Sequence, residues 1–217
     1  FDETLPQKNP RALEPLTLLR TWGTILRHPT FWAYSLLSTA TYAGLFTVLA
    51  SSSFIFIRVL HLSKPAYGLV MLSVSLVYIV GTLACRRLVP RLGVRRAVAV
   101  AGGFTLAGGT LMGILALAGL HTPWAIMLPF YLYMLAHGVH QPCSQSGAVG
   151  PFPYAAGAAA ALNGFLMMVA AFGVGGWLGA HMDGTVMPLV YGVWLSSIVV
   201  ALIAWTLVQR HGHTASH

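Results

Sequence analysis

The sequence predicts an all-α integral membrane protein, a bundle of six transmembrane helices. Three observations carry that prediction. Of the 217 residues, 57 % are hydrophobic and only 7 % are charged, whereas a soluble domain has roughly a quarter of its residues charged. Six apolar stretches are each long enough to cross a hydrocarbon core about 30 Å thick, which takes roughly twenty helical residues. Strict apolar/polar alternation, which a barrel would need, is absent, and helices satisfy their own backbone groups in lipid.

Residues 1–29 read as a polar lead-in. Within it, from Pro15 to Arg27, Leu18, Leu19, Trp22, Ile25 and Leu26 recur at helical spacing, while Arg20, Thr24 and Arg27 fall away from that stripe. The pattern fits an amphipathic helix lying on the membrane surface and equally a helical approach to the first span. The spans then run from about Phe31 to Ile57, Tyr67 to Leu83, Ala97 to Leu120, Trp124 to Ser144, Ala156 to Ala180 and Val186 to Val208. The bundle thus takes residues 30–208, and 209–217 form a tail. The chain opens on Phe1 with polar residues and no signal peptide, the pattern of a fragment or a processed chain.

Charge sets the expected direction. Lys8, Arg11, Arg20 and Arg27 precede the first span. Arg86, Arg87, Arg91, Arg95 and Arg96 fall in the loop between the second and third, and Arg210 follows the sixth. Only Arg58 and Lys64 lie on the other side, so the positive-inside rule puts both termini in the cytoplasm. The net charge of +8 reflects twelve basic against four acidic residues. No soluble module surrounds a basic patch, so nucleic-acid binding is not expected and the bilayer is the first partner. Cys85 and Cys143 fall near span ends and suggest no disulfide framework.

Small residues mark expected helix-packing positions: Gly109 and Gly113 in the third span, Gly175 and Gly179 in the fifth. The run "AAGAAAALNG", residues 155–164, adds Gly157 and Gly164 on a smooth face.

The stretch "AHGVHQPCSQ", residues 136–145, sets His137, His140 and Cys143 at intervals of three. A zinc site wants three or four ligands and an acceptor behind them. Here no H-E-x-x-H appears, no acid lies nearby, and Pro142 disturbs the helix ahead of Cys143. "CSQSG", residues 143–147, lacks the glycine that precedes the serine of a nucleophile elbow. Neither a metal site, a cofactor nor an enzyme is expected. Instead, Ser38, Tyr42 and Phe46 share a face of the first span, and Tyr133, His137 and Gln141 share one of the fourth, with His140 alongside. Such faces turn toward a water-filled cavity or toward protein, and both readings stand for these residues. No Asp or Glu falls inside any span; Asp183, with His181, belongs to a turn between the fifth and sixth, in a solvated or capping role. Were the chain to move protons, the titrating group would be a carboxylate outside it or a histidine such as His137.

Three stretches carry a family resemblance. "PFPYAAGAAAALNG", residues 151–164, with Pro142 upstream, resembles the P-then-FP-x-x-AG-x-A-x-AL-x-G pattern between helices ten and eleven of Bcr/CflA-type drug efflux transporters of the major facilitator superfamily. "AGLFTVLASSSFIF", residues 43–56, is similar to their helix-seven stretch, and "DETLP", residues 2–6, to the P-E-T-L after helix six. "RLGVRR", residues 91–96, resembles the end of the superfamily's D-R-x-G-R-R loop, without its aspartate. Pro142-Cys143 stands where the family often has Pro-Asn, and Pro151 where it often has an acid. The resemblance implies helices seven to twelve, the C-terminal half of a bacterial inner-membrane antiporter. Such a protein would export small lipophilic drugs in exchange for protons by alternating access and would need an N-terminal half. A half-size transporter working as a homodimer is the alternative, and an intramembrane metal-binding protein a more distant one.

Overall fold

A computed structural model describes residues 15–212 of the chain. The "DETLP" stretch, Lys8, Arg11 and the end of the tail lie outside the described residues. The described chain is helical from end to end: α1 (Pro15–Leu26), α2 (Pro29–Ser53), α3 (Lys64–Leu92), α4 (Val94–Leu117), α5 (Pro123–Val149), α6 (Ala156–His181), α7 (Met187–Trp205) and a short α8 (Leu207–His211). One π-helical turn, Phe54–Val59, continues α2, and a 3₁₀ turn, Pro153–Ala155, leads into α6.

Local chemistry sets the boundaries. Ser63 caps α3 by accepting from the Ala66 amide at 3.3 Å, and Thr122 caps α5 by accepting from Ala125 at 3.2 Å. Both helices then place proline in the first turn, where its missing N–H costs nothing. Gly93, at φ 77°, is the whole break between α3 and α4. The expected basic loop is therefore a correction. Arg86, Arg87 and Arg91 continue α3, and Arg95 and Arg96 open α4, because leucine and arginine propagate a helix well once it has started. The tail expected from residue 209 likewise begins inside α8. In the turn before α7, Asp183 accepts from the Thr185 amide at 3.0 Å and its hydroxyl at 2.7 Å.

Six long helices occupy the six apolar stretches, but they are not equally apolar. Five segments, 29–59, 64–92, 94–117, 153–181 and 187–211, are long and apolar enough to cross a membrane. The expectation of six such spans thus stops short at α5. Its second half carries His137, His140, Gln141, Ser144, Gln145 and Ser146. This helix, outside those five spans, sits inside, packed against α2, α3 and α4 with α6 alongside. By contrast α3 and α6 keep most of their surface uncovered, including Leu69, Leu76, Phe165 and Phe172.

Both ends of the described chain meet at one end of the bundle, beside the basic α3–α4 junction. Thr30 Oγ1 donates to the His211 carbonyl at 2.8 Å and Tyr34 Oη to that of Gly212 at 3.1 Å. The Arg95 guanidinium donates to the Gln209 carbonyl, and Gln209 Nε2 returns a bond to the Arg95 carbonyl at 3.0 Å. On α1, Ile25 is buried in the core, whereas Leu16, Leu19, Trp22 and Leu26 of the same helix are exposed.

Glycine positions divide. Side chains at Gly109 and Gly113 would run into Ser197 and Trp194 of α7, so α4 and α7 touch there. At Gly157, Gly164 and Gly179 a Cβ would meet nothing within 4 Å, and at Gly175 only the Phe46 ring at 3.7 Å. The expected packing role has no partner within the described residues at the first three, because α6 lies along α2 and leaves its other side open. The tightest crossing was not anticipated: a Cβ on Gly138 of α5 would stand 2.6 Å from the Thr82 amide nitrogen and 2.7 Å from the Tyr78 carbonyl oxygen of α3. Backbone there cannot retreat as a flexible side chain could. Gly138→Ala should therefore destabilise the fold by about 1–3 kcal/mol, read as a lower melting temperature in detergent, while Gly157→Ala leaves it unchanged or slightly raised. Equal melting temperatures would refute the crossing.

Acid should loosen the turn before α7. The bonds from Thr185 hold the fully exposed Asp183 carboxyl below the usual carboxylate range, so the stabilisation is present at neutral pH and is lost as pH falls through that lowered value. Protection of the Thr185 amide, its exchange rate taken relative to the intrinsic rate at each pH, should fall only in acid, and Asp183→Asn should remove that pH dependence.

Candidate functional site

The apolar core falls into two clusters at different levels of the bundle. One, toward the basic end, gathers Phe31, Tyr34, Leu37, Ala101, Val139 and Val200; the other gathers Val48, Phe56, Met112, Phe130, Leu189 and Val193. Where the two meet, α2, α4 and α7 turn polar, and on α5 and α6 polar side chains stand among the residues of the first cluster. Ser38 and Thr41 on α2, Thr105 on α4, His137 and His140 on α5, Asn163 on α6, and Ser196 and Ser197 on α7 are all buried. Most fall near the middle of their helices, Asn163 nearer the start of its own. In hydrocarbon each such group must find a partner inside the protein, and the partners define the site.

Two networks meet α2. In the first, Ser38 Oγ donates to Asn163 Oδ1 at 2.8 Å, and Asn163 Nδ2 donates to Gln145 Oε1 at 2.9 Å, joining α2, α6 and α5. In the second, Thr41 is shared: its Oγ1 lies 2.9 Å from His137 Nδ1, and its carbonyl accepts from the Tyr133 hydroxyl at 2.9 Å. Tyr78 of α3 packs its ring 5.6 Å from that of His137. Gly44, one turn beyond Thr41, leaves the space that the Tyr133 hydroxyl fills.

The seven residues expected to line a path are therefore only partly brought together. Tyr133 and His137 converge on α2 through Thr41, and Ser38 belongs to the neighbouring network. Tyr42 and Phe46 are half-buried and lie against each other, ring centres 6.2 Å apart. His140 faces away, its Nε2 3.2 Å from Thr105 Oγ1 of α4. Gln141 keeps a buried Oε1 without a hydrogen-bond partner among the described residues, as does His140 Nδ1. Cavities of about 600 Å³ between α2, α6 and α7, and of about 420 Å³ between α3 and α5, are lined by other residues.

The even spacing of His137, His140 and Cys143 does not converge. Residues three apart on a helix are rotated by about 60° from one another, so the three reach toward α2, α4 and α3 in turn. Among the described residues no group of three His, Cys, Asp or Glu could hold a metal ion. What the layer offers is hydroxyl, amide and imidazole groups enclosed by apolar surface, a set able to orient a ligand by hydrogen bonds.

Sequence reasoning missed Asn163 and Gln145. The signal was present: a lone amide inside an apolar helix seeks a polar partner, but Asn163 sat in a run of alanines that reads as packing surface. If the network holds α2, α5 and α6 together, Ser38→Ala and Asn163→Ala should each lower stability, and a double-mutant cycle should show coupling of about 0.5–1.5 kcal/mol. Additive effects would mean the bond does not form.

A family model described as Major Facilitator Superfamily matches residues 2–175. No curated protein and no solved structure matches the chain.

Proposed function

Since the chain belongs to the Major Facilitator Superfamily, and so is a multi-pass membrane protein of a transporter family, we propose that it is the C-terminal half of a proton-coupled drug exporter. In this reading α2 to α7 all cross the bacterial inner membrane, α5 included because its polar side chains are enclosed by its neighbours. The basic end, with both termini, faces the cytoplasm, and α1 lies along that surface on its exposed leucines and Trp22. Small lipophilic compounds are exported in exchange for protons, by rocking two halves about a site near mid-membrane.

The observation that supports this most is the polar layer. Most of its members stand near the middle of their helices, and its mixture of aromatic, hydroxyl and amide groups suits varied lipophilic compounds. Ser38, Tyr42, Phe46, Tyr133, His137, His140 and Gln141 remain the proposed lining, joined now by Asn163 and Gln145. The long uncovered faces of α3 and α6 suit a second six-helix half, and the smooth glycine face of α6 suits close approach. A homodimer of two such chains would use the same faces. No catalytic role or cofactor is assigned to any residue.

Proton coupling divides the possibilities. The spans contain no carboxylate, so the coupling acid belongs to an N-terminal half, or His137 acts in its place. Reconstituted alone, the 217-residue chain should move no lipophilic dye in response to a pH gradient, and adding the six-helix N-terminal half should restore transport. Transport by the chain alone would favour the homodimer. In the two-half protein, His137→Ala should alter drug resistance or its pH dependence at unchanged expression. Unaltered resistance across pH and drugs would leave His137 a packing role only.

A further inference from the structure

Cys85 and Cys143 come from helices 58 residues apart in sequence, yet their sulfurs lie 3.7 Å from each other. Both are buried, on α3 and α5 respectively. The backbone contact at Gly81 and Gly138 explains the approach. Cys85 stands one turn beyond Gly81, and Cys143 little more than a turn beyond Gly138, so both follow the point where the two helices touch. Cys85 Sγ also reaches the Val139 carbonyl at 4.0 Å, which keeps it aimed across the crossing.

The pair borders open space. A cavity of about 350 Å³ is lined by both cysteines together with Arg86, Val89, Pro142 and Ser146. It lies toward the basic end of the bundle. A reagent can thus reach sulfurs that are otherwise packed away, and an organic group attached to it has room.

We propose that Cys85 and Cys143 form a dithiol binding site for trivalent organoarsenicals. The ligand class follows from what the site provides. Zinc takes four donors, three at the least from protein, and no third His, Cys, Asp or Glu joins this pair among the described residues. Monovalent copper and divalent mercury hold two thiolates on opposite sides of the metal, which needs sulfurs well beyond contact distance. An organoarsenic(III) centre is pyramidal and holds both sulfurs on one side, close to contact with each other. It is also neutral and lipophilic, so it can enter a site inside a membrane helix bundle without the cost of burying an ion.

The reaction is a substitution without change of oxidation state. In the hydrated form of phenylarsine oxide, PhAs(OH)₂, two As–O bonds break and two As–S bonds form. Each thiol proton leaves on a departing hydroxyl, giving two waters, so no external base or oxidant is required. The product ties α3 to α5.

The test treats the purified, reduced full chain in detergent with phenylarsine oxide, removes the excess, then denatures it and counts maleimide additions by intact mass. Untreated protein should take two additions and treated protein none, and a dithiol such as 2,3-dimercaptopropanol should restore both. Cys85→Ala, Cys143→Ala and the corresponding serine variants should each keep one addition with or without the arsenical. Half-saturation of the folded chain should need at least tenfold less reagent than that of chain unfolded beforehand. Two additions after treatment, loss of the remaining thiol in the single variants, or equal half-saturation of folded and unfolded chain would each overturn the proposal. None of these readouts depends on transport, so the site stands or falls separately from the proposed function.

Discussion

The polar half of α5 cannot face hydrocarbon, and much of the architecture follows from enclosing it. Two imidazoles and two amides fall between residues 137 and 145 of one helix. Exposed to lipid, each would carry an unmet hydrogen-bonding demand costing on the order of kcal/mol. The chain answers by surrounding α5 with α2, α3, α4 and α6 and by supplying a partner from most of them. Thr41 comes from α2, Thr105 from α4 and Asn163 from α6. The helices with most uncovered surface, α3 and α6, are correspondingly apolar on their outer faces.

This enclosure makes the layer structural and, in the proposed exporter, the seat of function. Hydrogen bonds between membrane helices contribute modestly, on average well under 1–2 kcal/mol each, so they can be exchanged for bonds to a ligand or to water at small cost. The two apolar clusters supply the non-directional packing that keeps the helices together. Gly81 and Gly138 bring the backbones of α3 and α5 into close contact, while α2 and α6 present polar groups to α5.

The helices themselves were legible in the sequence, because runs of apolar residues long enough to span a bilayer are rare by chance and leave few alternatives. Their ends were less legible. Arg86, Arg87 and Arg91 read as loop because they are charged, yet charge does not stop a helix; Gly93 does. Which residues meet was legible least. The face of a helix follows from spacing, so Tyr133 and His137 could be placed together, but the neighbour that face meets depends on crossings. Those crossings rest on glycines such as Gly138 and Gly44, whose signal is the absence of a side chain. Asn163 with Gln145, and Cys85 with Cys143, are pairs of that kind. On α6 the glycines Gly157, Gly164 and Gly179 have open space beside them in the described chain, so no neighbour within it reads their spacing.

In the proposed exporter the buried polar groups of α2, α5 and α6 line a path open to water from one side at a time. Single cysteines placed at positions 38, 41, 145 and 163, in a two-half protein whose Cys85 and Cys143 are replaced by serine, can be challenged with a charged, membrane-impermeant thiol reagent from each side of the membrane. These positions should react, substrate should change their rates, and cysteines at the outward-facing Leu76 and Phe172 should not react. Layer positions that stay unreactive from both sides, with and without substrate, would contradict this reading.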